Sequence, residues 1–176
     1  MEKKILEIGC GNKKTKGAIG LDLVKTPLTD VVHDLNKFPY PFKKNTFDEI
    51  YADNVLEHLE APLDKILGEL CRISKSRGVI KITVPNCFSV GAFADPTHKK
   101  FFSWFTFDYF GSNVQSFYTK SRVKIIKREF RVNTGRLSSK ILKPIETFVN
   151  VFPTFYIMFL SFLPVNEIYF ELQPIK

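Results

Sequence analysis

Apolar positions in the first half of the chain fall into short runs closed by glycine or an acid, a pattern that predicts strands rather than long helices. Residues 4–8 (KILEI) form the first run and lead directly into a Gly-Cys-Gly turn. Residues 18–23 and 30–35 form the next two, with Asp22 and Asp34 near their ends. Residues 47–52 (FDEIYA) and 78–84 (GVIKITV) are the fourth and fifth. Five short strands separated by loops or helices point to an α/β fold with a mostly parallel sheet. One helix stands out between the fourth and fifth runs, where Leu63, Ile66, Leu67, Leu70 and Ile73 recur at three- and four-residue steps. Pro62 suits its first turn, Lys75 and Arg77 its negative end, and Gly78 its stop.

The spacing of these runs sharpens the picture. Ten residues separate Gly11 from Asp22 and eleven separate Asp22 from Asp34, whereas a helical crossover with its strand takes about a dozen or more. One face of the sheet is therefore expected to be thinly covered, with loops or single turns in place of two helices.

The second half differs in character. An aromatic belt of Phe101, Phe102, Trp104, Phe105, Phe107, Tyr109, Phe110, Phe117 and Tyr118 is dense enough to line a pocket or pack as a hydrophobic cap. Residues 123–132 read as a basic edge strand and residues 167–173 as a last strand, antiparallel or mixed at one end of the sheet. Between them, residues 147–163 (TFVNVFPTFYIMFLSFL) carry no charge. This stretch is shorter than the roughly 20 apolar residues of a membrane span, and Pro153 interrupts it. A buried or lid helix is expected, with a helix lying on a membrane surface as the alternative.

Composition bounds the function. With 44% hydrophobic and 25% charged residues, the chain has the make-up of a folded globule rather than a disordered one. The net charge of +8 is uneven, since residues 97–176 hold 12 basic against 5 acidic side chains, and residues 120–143 hold nine basic ones and a single acid, Glu129. Such a run either solubilises an exposed sheet edge or holds an acidic or phosphorylated partner. Cys10, Cys71 and Cys87 have neither disulfide nor metal-ligand spacing, so a reducing cytoplasm is expected and no metal site. The first four residues run straight into a strand without an apolar leader core, so no export is expected.

A strand, a glycine turn and a second strand ending in an acid is an arrangement that grips a nucleoside. A nicotinamide dinucleotide would need a further glycine at position 14, which is Lys14, and a helix to receive its pyrophosphate, where no helix pattern follows.

The order of motifs carries a family resemblance. Glu7-Ile8-Gly9-Cys10-Gly11 resembles the first motif of class I S-adenosylmethionine-dependent methyltransferases, and Gly20-Leu21-Asp22-Leu23 their acidic second strand. Val32-His33-Asp34-Leu35 with Phe38-Pro39-Tyr40-Pro41-Phe42 is similar to the third-strand region. Phe47-Asp48-Glu49-Ile50 and Leu56-Glu57-His58-Leu59 are similar to the fourth strand and its following turn, and residues 75–85 complete the set. The resemblance implies a Rossmann-like methyltransferase fold with S-adenosylmethionine as cofactor. One domain over residues 1–176 is expected, with residues 1–90 as the cofactor half and 91–176 as the acceptor-side cap and last two strands. It further implies that Gly9, Cys10 and Gly11 face the methionine part and that Glu7 holds the loop and its bound amino acid. Asp22, with Leu23 beside it, would bind the ribose. Asp34 would accept from the adenine amino group, with Leu35 beside the ring, and Asn54 and Val55 would lie near the methyl group. The departure is Lys13, where the family often has a further glycine.

His58 and His98 flank the expected methyl position and are the candidates for acid-base work, although methyl transfer needs little beyond in-line positioning. His33 is read as structural. Cys87 is the one cysteine placed for covalent attack on a base. The Asn-Pro-Pro-aromatic signature of base-amino methylation is absent, since the chain reads Asp53-Asn54-Val55-Leu56 there. The acceptor expected is a small, partly apolar molecule with an oxygen, nitrogen or carbon nucleophile. The alternatives are an RNA methyltransferase using residues 120–143 and a non-catalytic methyltransferase-like binding domain.

Overall fold

The computed structural model describes residues 3–111, 122–132 and 139–176. Seven strands follow the apolar runs closely: β1 (Ile5–Ile8), β2 (Ala18–Asp22), β3 (Val31–Val32), β4 (Phe47–Asp53), β5 (Ser74–Pro85), β6 (Val123–Arg131) and β7 (Glu167–Pro174). They form one sheet in the order β3-β2-β1-β4-β5-β7-β6. The first five pair in parallel, and β7 runs antiparallel between β5 and β6. This is the Rossmann-like methyltransferase arrangement that the motif order implied. The chain leaves β1 toward β2 on one side and returns to β4 on the other, which opens a crevice at the carboxyl ends of β1 and β4.

Alternation along the strands sorts side chains into two unlike faces. Leu6, Ile8, Ile50, Ile80, Ile82, Val84, Ile168, Phe170 and Leu172 are buried on one of them. The helix α1 (Leu63–Ile73) adds Ile66, Leu67, Leu70 and Ile73 to the same core. Each such side chain contributes roughly 1.5–3 kcal/mol by leaving water. The opposite face is polar. Lys81 donates to Glu49 at 2.8 Å and to the Tyr51 hydroxyl at 2.9 Å, Tyr169 donates to Glu171 at 2.7 Å, and the Arg131 guanidinium lies 3.6 Å from the centre of the Tyr169 ring. The connections after β1 and β2 contain no helix, which is the thin covering that their lengths predicted.

Four expectations are corrected. α1 ends at Ile73 rather than at Gly78, and the segment from Ser74 onward is already β5. Lys75 therefore caps nothing; its ammonium pairs with Asp48 at 2.7 Å, and Gly78 sits at the register shift between β4 and β5. The third run shrinks to the two residues of β3, because turn chemistry around Asp34 takes over: its carboxylate accepts from the Asn36 N–H at 2.9 Å. The uncharged stretch 147–163 is not one helix. It is divided between α3 (Ser139–Val151) and α4 (Pro153–Phe159), with Pro153 opening the second. Nor is it buried, since Met158 is 67% and Phe162 77% exposed, and Phe148, Phe152, Phe155 and Phe159 are exposed beside them. No helix among the described residues is long and apolar enough to cross a membrane.

The cap is anchored from inside. Asn86, fully buried, donates to the Tyr156 hydroxyl and the Val165 carbonyl, tying the end of β5 to α4. Phe102, Phe107 and Phe110 of the aromatic belt are buried, whereas Phe101, Phe105 and Tyr109 are exposed; Phe117 and Tyr118 lie outside the described residues. β6 is the edge strand expected, and α3 shields it. Asn150 exchanges two 2.8 Å hydrogen bonds with the Phe130 backbone, and Glu146 accepts from the Val132 N–H.

Candidate active site

The crevice at the carboxyl ends of β1 and β4 is shaped by the glycine loop. Gly9 and Gly11 have φ of +64° and +47°, a region costly for residues with a Cβ. A Cβ on Gly9 would stand 2.4 Å from Val55 Cγ2, so the loop and the residue after β4 touch at a point where only glycine fits. A Cβ on Gly11 would meet nothing within 4 Å, which leaves open space above that residue for a ligand. Lys13 raises no conflict: its N–H closes a turn onto the Cys10 carbonyl at 3.0 Å, and the third positive φ of the loop falls on Gly17.

Two acids fix the loop. Glu7, nearly buried, accepts from the Thr15 N–H at 2.6 Å. Asp22 accepts from the Gly11 N–H at 2.8 Å and the Val24 N–H at 2.9 Å, one on each carboxylate oxygen. Each oxygen keeps a free lone-pair direction, and the side chain is partly exposed. The Cys10 side chain is buried against Leu28 and Thr29, which pushes the thiol pKa up by burial and leaves only its backbone at the crevice. Leu23 is exposed, while Leu35 is in the core and lends its carbonyl to the Tyr40 hydroxyl. The hydrogen bond from Asn36 holds the Asp34 pKa below the usual range. His33 is held by the Lys37 carbonyl and an edge-on contact with Tyr40. Asn54 adopts φ of +47°, uncommon for a residue with a side chain, at the switch from β4 to the next turn.

Asn54 also borders a second cleft of about 390 Å³, lined by Glu57, His58, Pro85, Gly91, Asp95, His98, Asn166 and Glu167. The two histidines that the sequence singled out meet here, with ring centres 4.8 Å apart. The Leu56–His58 turn supplies one, and the segment after the short helix α2 (Val90–Ala94) supplies the other. Beside them lies Glu57, 1% exposed, whose two carboxylate oxygens have no hydrogen-bond partner among the described residues. Burial pushes its pKa up to about 7. Sequence reasoning had Glu57 only as part of a motif and missed Asn166 altogether; a carboxylate set between two buried leucines of one turn was the available signal. Cys87 is half-buried beside the Phe102 carbonyl, and Cys71 is partly buried on α1, its thiol pushed up to about 11 by desolvation.

Part of the basic run is paired with neighbouring acids. Among its described residues, Lys127 and Arg131 pair with Glu129, Arg128 with Asp108, and Lys143 with Glu146. Arg128 also lies over the Trp104 ring.

Comparison with known proteins agrees with this architecture. Residues 6–82 match a family model described as a methyltransferase domain. No curated protein matches the sequence significantly. A crystal structure of a SAM-dependent methyltransferase from Archaeoglobus fulgidus superposes with a TM-score of 0.61 at 20% identity, covering 97% of this chain and 86% of that one. An S-adenosylmethionine-dependent methyltransferase from Mesorhizobium loti superposes at 0.52 with 14% identity, covering 97% and 90%. Coclaurine N-methyltransferase bound to N-methylheliamine and SAH superposes at 0.56 with 13% identity, covering 97% and 68%.

Proposed function

We propose that the chain is a class I S-adenosylmethionine-dependent methyltransferase that methylates a small, partly apolar acceptor held in the cleft beside Asn54; the methyltransferase-domain model matching residues 6–82 and the shared fold support this reading. S-adenosylmethionine supplies an electrophilic methyl group on a sulfonium. The observation that carries the proposal is the adjacency of two sites: Gly9 of the glycine loop packs against Val55, and the preceding residue, Asn54, lines the Glu57–His58–His98 cleft, its amide reaching the Glu167 carboxylate at 3.4 Å.

In this reading, Gly9 and Gly11 let the cofactor backbone lie on the loop, Glu7 keeps the loop in place, and Asp22 takes the ribose hydroxyls on its remaining lone pairs. Asp34 and the Leu35 backbone face the adenine, and Asn54 and Val55 stand beside the methyl group. The acceptor's polar end meets Glu57, His58 and His98, while its apolar part lies against Val90 and Phe93, both exposed on α2, with Phe93 stacked on Phe101 at 4.7 Å. A cleft of this volume suits a small molecule. Holding the acceptor in line with the sulfonium is the main catalytic demand. Glu129, Asp108 and Glu146 engage four basic residues of the 120–143 run, which favours a structural role for that part of it over phosphate contacts.

Isothermal titration calorimetry with S-adenosylhomocysteine tests the cofactor site. Binding is expected at micromolar concentration, and Asp22→Ala is expected to weaken it at least about tenfold, because a hydrogen-bonded carboxylate contributes on the order of 1.5–3 kcal/mol. Unchanged affinity in the variant would remove Asp22 from the site, and no binding by the native chain would overturn the enzyme reading.

The exposed row on α3 and α4 supports a second feature, contact with a membrane surface. Its rings touch one another, with Phe148 to Phe152 at 5.5 Å and Phe155 to Phe159 at 5.2 Å, and residues 147–163 carry no charge. Such an aromatic face suits the headgroup boundary. The protein is expected to co-sediment with anionic liposomes, and a Phe155→Ser/Phe159→Ser double variant to remain in the supernatant. If the native chain also stays in the supernatant, the row has another purpose.

A further inference from the structure

The geometry points to a divalent transition-metal site, of the kind that takes Zn2+, formed by Glu57, His58 and His98 at the inner end of the acceptor cleft. One ligand atom from each of the three lies within 4.8 Å of the others. Ligands at about 2.0–2.2 Å from a tetrahedral ion stand somewhat closer together than this, so the site closes by about an ångström as the ion enters.

The hydrogen bonds around the two imidazoles fix their tautomers. His98 Nδ1 is 2.9 Å from the Ala92 carbonyl, which can only accept, so Nδ1 carries the hydrogen. His58 Nδ1 is 2.9 Å from Thr97 Oγ1, and that hydroxyl spends its own hydrogen on Asp95 at 2.6 Å. It accepts from His58, so His58 Nδ1 also carries the hydrogen. In its neutral form each ring therefore carries its lone pair on Nε2; that of His98 lies 3.9 Å from an Asp95 carboxylate oxygen. A carbonyl or a carboxylate-backed hydroxyl behind Nδ1 is the support that metal-binding histidines characteristically have. Hydrogen bonds from Thr97 keep the Asp95 carboxylate below the usual range, so it stays charged behind that support.

Glu57 supplies the second, independent observation. A carboxylate this deeply buried costs several kcal/mol unless it is paired or coordinates a metal, and neither of its oxygens has a hydrogen-bond partner among the described residues. Protonation alone would leave an O–H donor unsatisfied. Asn166 Oδ1, buried and also without a partner, lines the same cleft. Two neutral imidazoles and one carboxylate are a ligand set for Zn2+, Fe2+ or Mn2+, with at least one coordination position left open. Here the open side faces the acceptor, whose oxygen or nitrogen would bind there and be positioned for the methyl group. The histidines then serve as ligands rather than as bases. The inference rests on this cluster and not on the cofactor reading.

The test is metal binding by the full chain stripped with EDTA. Titration with Co2+, followed by its visible ligand-field absorption, and with Zn2+, followed by calorimetry, is expected to show one site per chain. Glu57→Gln and His98→Asn are each expected to weaken the site by at least about tenfold, while His33→Asn leaves it intact. S-adenosylhomocysteine affinity, measured on the same stripped samples, reports folding and the cofactor site separately, and is expected to persist in all three variants. Absence of binding at submillimolar Zn2+ in a native chain that still binds S-adenosylhomocysteine overturns the metal site alone. Metal binding that survives both Glu57→Gln and His98→Asn also overturns it. Should Glu57→Gln unfold the chain, His58→Asn takes its place with the same expected loss.

Discussion

Gly9→Ala is expected to abolish measurable S-adenosylhomocysteine binding and to destabilise the fold by ~2–5 kcal/mol, while Gly11→Ala costs the fold far less. Both residues have positive φ, and a side chain in that region costs about 1–2 kcal/mol at either position. The difference lies in what a new methyl would meet. At Gly9 it would overlap Val55, with 2.4 Å to Cγ2 and 2.7 Å to Cβ, and overpacking of this kind adds roughly 1–3 kcal/mol. Val55 is itself buried against the core, so the loop has to move, and it carries the Gly11 N–H away from Asp22. At Gly11 the methyl points into open space. Chemical denaturation of both variants checks the contrast, and equal losses would show that the contact with Val55 is not what fixes the loop.

Phe170→Ala is expected to cost ~3–5 kcal/mol, the range for removing a buried aromatic ring. At two to four degrees per kcal/mol for a chain of this size, that lowers the melting temperature by about 6–20 °C. Phe170 sits at the middle of β7, fully buried, and meets Phe107 edge-on at 4.7 Å. Its neighbour Tyr169 faces the polar side, so Tyr169→Ala should lose only its contacts with Arg131 and Lys127 and its hydrogen bond to Glu171, about 1–2 kcal/mol together. Thermal denaturation of the pair measures directly how unequal the two faces are. Similar losses would contradict a one-sided core.

The strands were legible because each is a short apolar run with its own punctuation, and the bare face was legible because ten or eleven residues cannot hold a crossover helix and a strand. What failed was local. Lys75, Arg77 and Gly78 look like a helix end, yet pairing of β4 with β5 extends the strand back to Ser74, where Lys75 finds Asp48. The stretch 147–163 looked buried because its composition is apolar, and composition does not reveal that Pro153 divides it or that Val149 and Tyr156 turn into the core, Tyr156 meeting Phe130 edge-on at 4.8 Å, while Phe148, Phe152, Phe155 and Phe159 stay exposed. At the site, Gly9, Gly11 and Asp22 were visible from spacing alone. Glu57 gained its significance only from the fold, because nothing in the order of residues shows that a segment some forty positions later closes over it.

The order of strands has a consequence for how the molecule assembles. β6 precedes β7 in the chain but lies outside it in the sheet, where β7 is its strand partner, so β6 has no strand to pair with until β7 has been made. As the polypeptide leaves the ribosome, a basic, half-apolar strand waits with its backbone unpaired while the apolar α3 and α4 emerge behind it. The side chains of Asn150 and Glu146, which occupy the Phe130 and Val132 backbone groups, are then the first partners available to it and can shield that strand from other chains during the interval.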